Sequence, residues 1–282
     1  MNKKVIIASD STCDLGPDLI ARYDIKILPL SVNLGTKIYT DGVDIDPDMI
    51  YRHYEEKREL PKTAAPNILD FSSLYQKYTA QGYAVVMFTI SSTMSVTYNN
   101  ARLAALDFED VYPVDTCNLS TGGGLLVLHA AELAAAGKSA AEIAEECRAM
   151  TQKVDASFVI DNLEFLHRGG RCSAVAAFGA NLLQLKPCIS VNGGKMGVGK
   201  KYRGKFAAVL QKYIVDRIGD GADVCQNRVF VTHAGCDDAI VQQCVDQVKG
   251  MGVFDEVLVT RAGCTVSAHC GRNTLGVLFV RK

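Results

Sequence analysis

Apolar runs alternate with amphipathic segments along the first half of the chain, and this alternation predicts strands that alternate with helices. Continuous apolar runs at 4–9, 84–90 and 111–114 are typical of buried strands. An extended run at 25–34 contains Pro29, which favours an edge or a bend. Amphipathic segments with helix-start signals predict helices at 17–23, 46–58, 67–79, 99–106 and 121–135, and another from 139. The first half therefore predicts a parallel sheet with helices on both faces.

The pattern changes after about residue 155. A strand at 157–160 and a short helix at 163–167 precede a predicted hairpin, 187–191 with 195–202, around a glycine-rich turn. Further helices are predicted near 205–218 and 237–250, and further strands near 228–232, 256–260 and 275–281. We predict an α/β protein with a parallel-sheet α/β/α domain at 1–155. A second α/β domain at 156–282, with a mixed or antiparallel sheet and helices on one face, closes a ligand cleft.

Composition narrows the function classes. The formal net charge is −1, which argues against a sequence-independent nucleic-acid binder, because such proteins need a basic face. No apolar run approaches the roughly 20 residues of a membrane span. The start of the chain reaches Asp10 too soon for a signal peptide, and the ten cysteines form no C-x-x-C pair. We expect a cytoplasmic protein whose cysteines act as small apolar residues.

A cluster of hydroxyls follows the predicted strand at 84–90. Ser95 and Thr97 lie where this strand gives way to a helix, and Ser11 follows the first strand at the same sheet edge. Hydroxyls and the free N–H groups of a first helical turn predict a site for a carboxylate or phosphate. A Ser/Thr helix cap without a ligand explains the same residues. Neither G-x-G-x-x-G nor a Walker loop accompanies them, so a nucleotide site is not indicated.

Catalytic and metal-binding templates match poorly. The chain has no G-x-S-x-G elbow, and a hydrolase or acyl transferase that uses Ser95 with His269 lacks an evident acidic partner. His269 is expected in a loop that leads to the last strand. Asp41 belongs to a predicted turn before a helix, which explains it without a function. Cys264, His269 and Cys270 match no standard zinc spacing, so no metal is predicted.

Short motifs in a particular order and spacing add a different kind of information. They are ASDSTCDL (8–15), YTDG (39–42), PKT (61–63), ISS (90–92), SVTY (95–98), VDT (114–116), LEFLHRGGR (163–171), KP (186–187) and HCG (269–271). This set, which runs nearly end to end, resembles the DegV family of bacterial fatty-acid-binding proteins. The resemblance implies a DegV-type α/β N-terminal domain, a smaller C-terminal α/β domain, and a long-chain fatty acid such as palmitate, stearate or oleate between them. It implies no other cofactor.

The resemblance also implies residue roles. The fatty acid carboxylate is expected at Thr63, Ser95 and His269. Ser11, Thr97 and Arg171 are expected as secondary ligand contacts. Family members that serve fatty acid kinases present the carboxylate to a separate ATP-binding subunit, and an acyltransferase later takes the acyl phosphate. The chain would then be a carrier without catalysis of its own.

Arg168 and Arg171 flank a Gly-Gly pair, and the resemblance implies that they dock the kinase subunit. A turn whose arginines pair with surface carboxylates is the alternative. Two alternatives to the carrier also stay open, namely a Ser/His hydrolase or acyl transferase and a binder of another anionic small molecule.

The sequence departs from the family pattern at three places. Ala64 and Ala65 follow Thr63 where the family commonly has Ser and Gln, and Val96 follows Ser95 where Gly is common. After the histidine stand residues 271–273 instead of Gly-Pro-Gly. The first two changes keep the headgroup residues and alter the mouth of the expected pocket.

Overall fold

The computed structural model describes residues 3–176 and 185–282. The strands are β1 (Val5–Asp10), β2 (Lys26–Leu28), β3 (Ser31–Leu34), β4 (Lys37–Thr40), β5 (Lys62–Ala64), β6 (Ala84–Thr89), β7 (Val111–Asp115), β8 (Val154–Ile160), β9 (Leu185–Asn192), β10 (Lys195–Arg203), β11 (Val224–Ala234), β12 (Val257–Arg261) and β13 (Thr274–Arg281). The helices are α1 (Pro17–Arg22), α2 (Pro47–Lys57), α3 (Ile68–Thr79), α4 (Thr97–Ala104), α5 (Thr121–Ala135), α6 (Ala140–Met150), α7 (Glu164–Gly169), α8 (Ser173–Ala176), α9 (Phe206–Ile218), α10 (Asp238–Gly250) and α11 (Cys264–Cys270).

The first sheet has the order β2-β1-β6-β7, and all its pairs are parallel. Successive side chains of a strand point to opposite faces, so neighbouring residues of β6 enter different cores. Val85 and Met87 pack with α3 and α4, whereas Val86 and Phe88 pack with α5 and α6. The predicted parallel sheet with helices on both faces is confirmed.

The second sheet has the order β10-β9-β8-β13-β11-β12, with one parallel pair, β11 with β12, among antiparallel ones. Its own helices, α9 and α10, cover one face through residues such as Tyr213 and Val245. The other face carries Phe158, Phe230 and Leu278, which join the core of α5. The predicted mixed sheet is confirmed. Helices α9 and α10 cover one face of this sheet, and α5 from the N-terminal part covers the other.

Helix α5 fits between the two sheets because three glycines follow Thr121 in its first turn. A Cβ on Gly124 would lie 2.8 Å from the carbonyl oxygen of Cys13, and a Cβ on Gly122 would lie 2.3 Å from Asn118 Oδ1. Both distances are below any ordinary van der Waals contact. The Gly122-Gly123-Gly124 run therefore permits close packing, as expected for three glycines inside a helix.

A third, small sheet has the order β4-β3-β5 and is antiparallel. The extended run at 25–34 breaks at Pro29, so β2 joins the parallel sheet and β3 joins this one. Strand β4 was not predicted. The pairing of β3 with β5 places Val32 opposite Thr63, which fixes the strand that carries Thr63.

One local expectation is wrong. His269 lies in the last turn of helix α11, not in a loop before β13. Helix α11 follows β12 in the chain, yet it packs against α2, β3 and β5 from the N-terminal part. Strand β8 begins at Val154, close to the predicted domain boundary. The division into 1–155 and 156–282 stays a prediction.

Candidate functional site

A cavity of about 560 Å³ lies where α11, β5 and the segment after β6 meet. This volume falls in the range of roughly 300–1,000 Å³ that is usual for small-molecule sites. Much of its wall is apolar, with Leu30, Ile90, Leu119, Leu166, Met196 and Val266 among its residues. The predicted headgroup residues Thr63, Ser95 and His269 line the same cavity, together with Arg171. The cavity therefore combines an apolar wall with a small polar group.

The cavity adjoins a smaller apolar cavity on one side and an open surface depression on another. Leu119, Val266 and Cys270 also line a further cavity of about 30 Å³ with an apolar wall. Thr63, Arg171 and His269 also line an outer depression of about 750 Å³. Thr63, Arg171 and His269 thus lie between the 560 Å³ cavity and this depression.

Thr63 and His269 form one hydrogen-bonded pair although they are 206 residues apart. Their Oγ1 and Nε2 atoms are 2.9 Å apart. Burial, with a smaller contribution from the charge of Arg171, lowers the pKa of His269 to about 4. The imidazole is therefore neutral at pH 7, so it offers a dipole and not a cation.

The position of the imidazole proton follows from the surroundings of the ring. His269 Nδ1 is buried and has no hydrogen-bond partner among the described residues. A Cβ on Gly169 would lie 2.7 Å from this atom, so the ring fits only because residue 169 has no side chain. A buried N–H without an acceptor costs about 1–3 kcal/mol. We therefore assign the proton to Nε2, which donates to Thr63 Oγ1 and leaves the Thr63 O–H free to donate elsewhere.

Ser95 lies beside the start of α4 and also lines the cavity. Its Oγ accepts a hydrogen bond from the backbone N–H of Thr97 at 3.3 Å, at the start of α4, and lies 2.7 Å from Thr97 Oγ1. Ser95 also lines the cavity. The same hydroxyl thus helps to begin the helix and faces the space where a ligand would lie.

Of the three residues predicted as secondary ligand contacts, Arg171 lines the cavity, and Thr97 and Ser11 do not. Arg171 lines the cavity, and its Nη1 donates to the carbonyl of Gly169 at 2.9 Å. Thr97 is fully buried and contacts Ser95. Ser11 donates to Asp41 Oδ2 at 2.9 Å and accepts from the N–H of Leu30 at 3.1 Å. Thr97 and Ser11 thus lie one hydrogen bond behind lining residues, and their contact with a ligand stays a prediction.

The outer depression has a cationic wall. Arg58, Lys62, Arg168 and Arg171 line it, with Glu59 as the acidic residue. Arg168 also forms an ion pair with Glu164 at 3.3 Å, one helical turn away. Arg168 thus pairs with a surface carboxylate, as the alternative interpretation expected, and also faces the depression.

Sequence reasoning missed the buried carboxylates around the site. Asp10 accepts hydrogen bonds from the backbone N–H groups of Thr12 and Ile90, so it joins the ends of β1 and β6. Burial raises the pKa of Asp10 to about 6 and that of Asp14 to about 8. Asp41, expected in a turn without further role, is also buried. All three lie in the ASDSTCDL and YTDG motifs, which were the signal available in the sequence.

The arrangement differs from that of a serine hydrolase. A hydrolase needs the serine hydroxyl on the histidine and an acid on its other nitrogen. Here His269 Nε2 contacts Thr63, Ser95 contacts Thr97, and Nδ1 meets no acid among residues 3–176 and 185–282. These residues also include no group of three or more His, Cys, Asp or Glu placed to hold a metal ion. None of the helices described in the structure has the length and apolar character needed to cross a bilayer.

Comparisons with known proteins agree with the fold and the motifs. The family model described as "Uncharacterised protein, DegV family" matches residues 4–282. A DegV domain-containing protein of Clostridium acetobutylicum is 34% identical over 99% of both chains. The structure of a DegV family protein from Thermus thermophilus, described for its fatty acid binding, superposes with a TM-score of 0.90 at 30% identity and covers 100% of both chains.

A stearic acid-binding protein from Eubacterium ventriosum is a further structural neighbour. It gives a TM-score of 0.84 at 27% identity and covers 100% of this chain and 99% of the other. The match in sequence and in fold extends over essentially the whole chain. This chain belongs to the DegV family.

Proposed function

We propose that the protein binds one long-chain fatty acid, such as palmitate, stearate or oleate, in the 560 Å³ cavity. Its carboxylate would lie at Thr63, Ser95 and His269, and its tail along the apolar wall. The observation that carries this proposal is the position of a neutral hydrogen-bonding group at the polar side of an apolar cavity. The fatty acid binding described for the Thermus thermophilus and Eubacterium ventriosum proteins supports it.

The energetics suit such a ligand. A C16 acid has about 14 methylenes, and burial at about 0.8 kcal/mol each contributes about 11 kcal/mol in total. Losing free motion and ordering the chain offsets several kcal/mol of this. An offset of about 4 kcal/mol leaves about 7 kcal/mol, which corresponds to a dissociation constant of about 10 μM before the hydrogen bonds of the headgroup add to it. The desolvated carboxylate needs donors, and Thr63 and Ser95 supply them without a tight ion pair.

A titration of delipidated protein with palmitate tests the proposal. We expect one palmitate per chain, seen also as a single mass shift in native mass spectrometry. Ser95→Ala should weaken binding by about 1–3 kcal/mol, because a buried acceptor loses a donor. Ser73→Ala is the matched control, since Ser73 lies exposed on α3 and donates to the carbonyl of Leu69. No affinity for palmitate, stearate or oleate would overturn the assignment and favour another anion.

We further propose that the bound carboxylate is presented at the outer depression to the ATP-binding subunit of a fatty acid kinase. In that reaction a carboxylate oxygen attacks the γ-phosphorus of ATP, the new O–P bond forms, and ADP leaves with the bridging oxygen. The acyl phosphate would remain on the carrier until an acyltransferase takes it. The chemistry belongs to the partner, so this chain is proposed as a carrier and not an enzyme.

Arg168 is the sharper probe of partner docking, because Arg171 also lines the cavity. With a cognate kinase subunit, Arg168→Ala should leave palmitate affinity unchanged and strongly reduce acyl phosphate formation. Arg102→Ala on the exposed surface of α4 is the matched control. Equal phosphorylation of both variants would argue against docking at this depression. A cytoplasmic location is proposed on the ten free thiols, which suit a reducing compartment.

A further inference from the structure

Asp41 receives hydrogen bonds from two distant segments of the chain. Its Oδ1 accepts from the backbone N–H of Cys264 at 2.8 Å. Its Oδ2 accepts from the backbone N–H of Thr265 at 3.1 Å, from Thr265 Oγ1 at 2.6 Å and from Ser11 Oγ at 2.9 Å. In all four hydrogen bonds the carboxylate of Asp41 is the acceptor, and the Asp41 side chain is buried. The position therefore requires an acceptor at both oxygens.

Both segments lead to the wall of the cavity. Cys264 and Thr265 begin helix α11, which carries His269 in its last turn. Ser11 accepts a hydrogen bond from the N–H of Leu30, which lines the cavity. Asp41 itself is not among the lining residues of the cavity. Any effect of Asp41 on a ligand must act through the residues that it holds.

Helix α11 depends on carboxylates from outside its own segment. Its N-cap residue, Gly263, has no side chain to cap the first turn. The N–H of Gly263 donates to Asp14, and the N–H groups of Cys264 and Thr265 donate to Asp41. These groups would otherwise lack partners at the start of a buried helix. These contacts hold the first turn of the helix that carries His269.

We propose that Asp41 is a positioning residue for the carboxylate-binding pair: by fixing the start of α11, it holds the His269 imidazole at hydrogen-bond distance from Thr63. The effect on the imidazole concerns the ligand-free protein. The effect on affinity rests on the proposed function.

Asp41→Asn is the informative substitution because it keeps the shape of the side chain. An asparagine has one acceptor oxygen, so its NH₂ group must face either the N–H of Cys264 or the three donors at Oδ2. The NH₂ group then faces the backbone N–H of Cys264 in one orientation and that of Thr265 in the other, so an N–H group at the start of α11 loses its acceptor in both. The helix spans only about 10 Å at about 1.5 Å per residue. A displacement of the first turn of α11 should therefore also displace His269 in its last turn.

The test has a ligand-free arm and a ligand arm. Nitrogen-15 spectra of the His269 ring should report one neutral Nε2–H tautomer in the unmodified protein, and shifted or broadened signals in Asp41→Asn. Palmitate affinity should fall about tenfold in Asp41→Asn. In the Thr63→Val background the same substitution should change affinity less than twofold, because the pair that Asp41 holds is already broken. Asp44→Asn, in the same turn, where Asp44 Oδ1 accepts a hydrogen bond from the N–H of Thr40, should alter neither readout.

The outcomes separate the inference from the proposed function. Failure of the unmodified protein to bind palmitate would overturn the proposed function and leave the ring signals as the test of Asp41. Unchanged ring signals in a folded Asp41→Asn protein would overturn the inference, as would an equal loss of affinity in both backgrounds. If Asp41→Asn does not fold, Ser11→Ala removes one donor to Asp41 and must then shift the ring signals of His269. Unshifted signals there would equally overturn it.

Discussion

Thr63→Val is the substitution that best isolates the chemistry of the site. Valine keeps the branched shape that suits strand β5 and removes only the hydroxyl. Two hydrogen bonds are lost in the proposed complex, namely the one from Thr63 to the ligand and the one from His269 Nε2 to Thr63. The variant therefore acts on ligand binding and on the stability of the ligand-free protein by separate routes.

The two magnitudes follow from the contacts. A hydrogen bond to a charged group is worth about 1.5–3 kcal/mol, so palmitate affinity should fall roughly tenfold to somewhat over a hundredfold. The buried N–H of His269 would lose its acceptor, and the free energy of unfolding should fall by about 1–3 kcal/mol. Displacement of a fluorescent fatty acid measures the first quantity, and urea denaturation of delipidated protein measures the second.

Thr79→Val serves as the matched control, because the Thr79 hydroxyl donates to a carbonyl within α3, on a different core. It should leave palmitate affinity unchanged. A Thr63→Val protein with lower stability and unaltered affinity would refute the headgroup role and make the Thr63–His269 pair purely structural. Unaltered stability would refute the hydrogen bond on which the tautomer assignment depends.

Three further predictions concern the scaffold. Because burial raises the pKa of Asp14 to about 8, the fold holds a proton that the unfolded chain releases above about pH 4, so stability should fall as pH rises from about 4 to 8. Asp14 has a φ of 51°, which asparagine tolerates, so Asp14→Asn should fold. It should flatten the pH dependence of stability measured by urea denaturation, and an equal pH dependence in both proteins would contradict the prediction. Because burial lowers the pKa of His269 to about 4 from its ordinary value of about 6.5, stability should fall as pH drops across that window, and His269→Gln should remove part of the fall. Gly124→Ala should lower the stability of the protein by about 1–3 kcal/mol, because the added Cβ would meet the carbonyl oxygen of Cys13. Gly250→Ala should be tolerated, because a Cβ there has open space around it. Similar melting temperatures for the two variants would disprove the packing argument.

The elements that sequence reasoning located best carry their own local signals. Asn67 caps α3 through a capping box with Asp70, and Ser139 caps α6 in the same way with Glu142. The bounds of α5, Thr121–Ala135, match the prediction at both ends. For α3 and α6 the residues that decide the start of the helix are close together in sequence, so the capping signal suffices to locate it.

The part that sequence reasoning missed depends on distant residues. Helix α11 is only seven residues long, and its capping carboxylates come from positions 223 and 249 residues away from their partners. No local signal marks its start, so His269 was expected in a loop. The pairing of Thr63 with His269 is equally non-local. The family resemblance selected these residues, and the fold then brought them to one cavity; their contact with a carboxylate stays a prediction.

The surroundings of Thr63 and His269 favour one orientation for the fatty acid that we propose as the ligand. With its carboxylate at Thr63 and His269, the charge would face the outer depression lined by arginine and lysine, while the tail would meet Leu119 and Val266. The reverse orientation would bury the carboxylate beside apolar residues, next to a cavity with an apolar wall. An ionised group without donors in such surroundings costs far more than the methylenes can return. In this proposed orientation the neutral His269 adds no ion pair to the carboxylate, and the carboxylate would lie on the side that adjoins the outer depression.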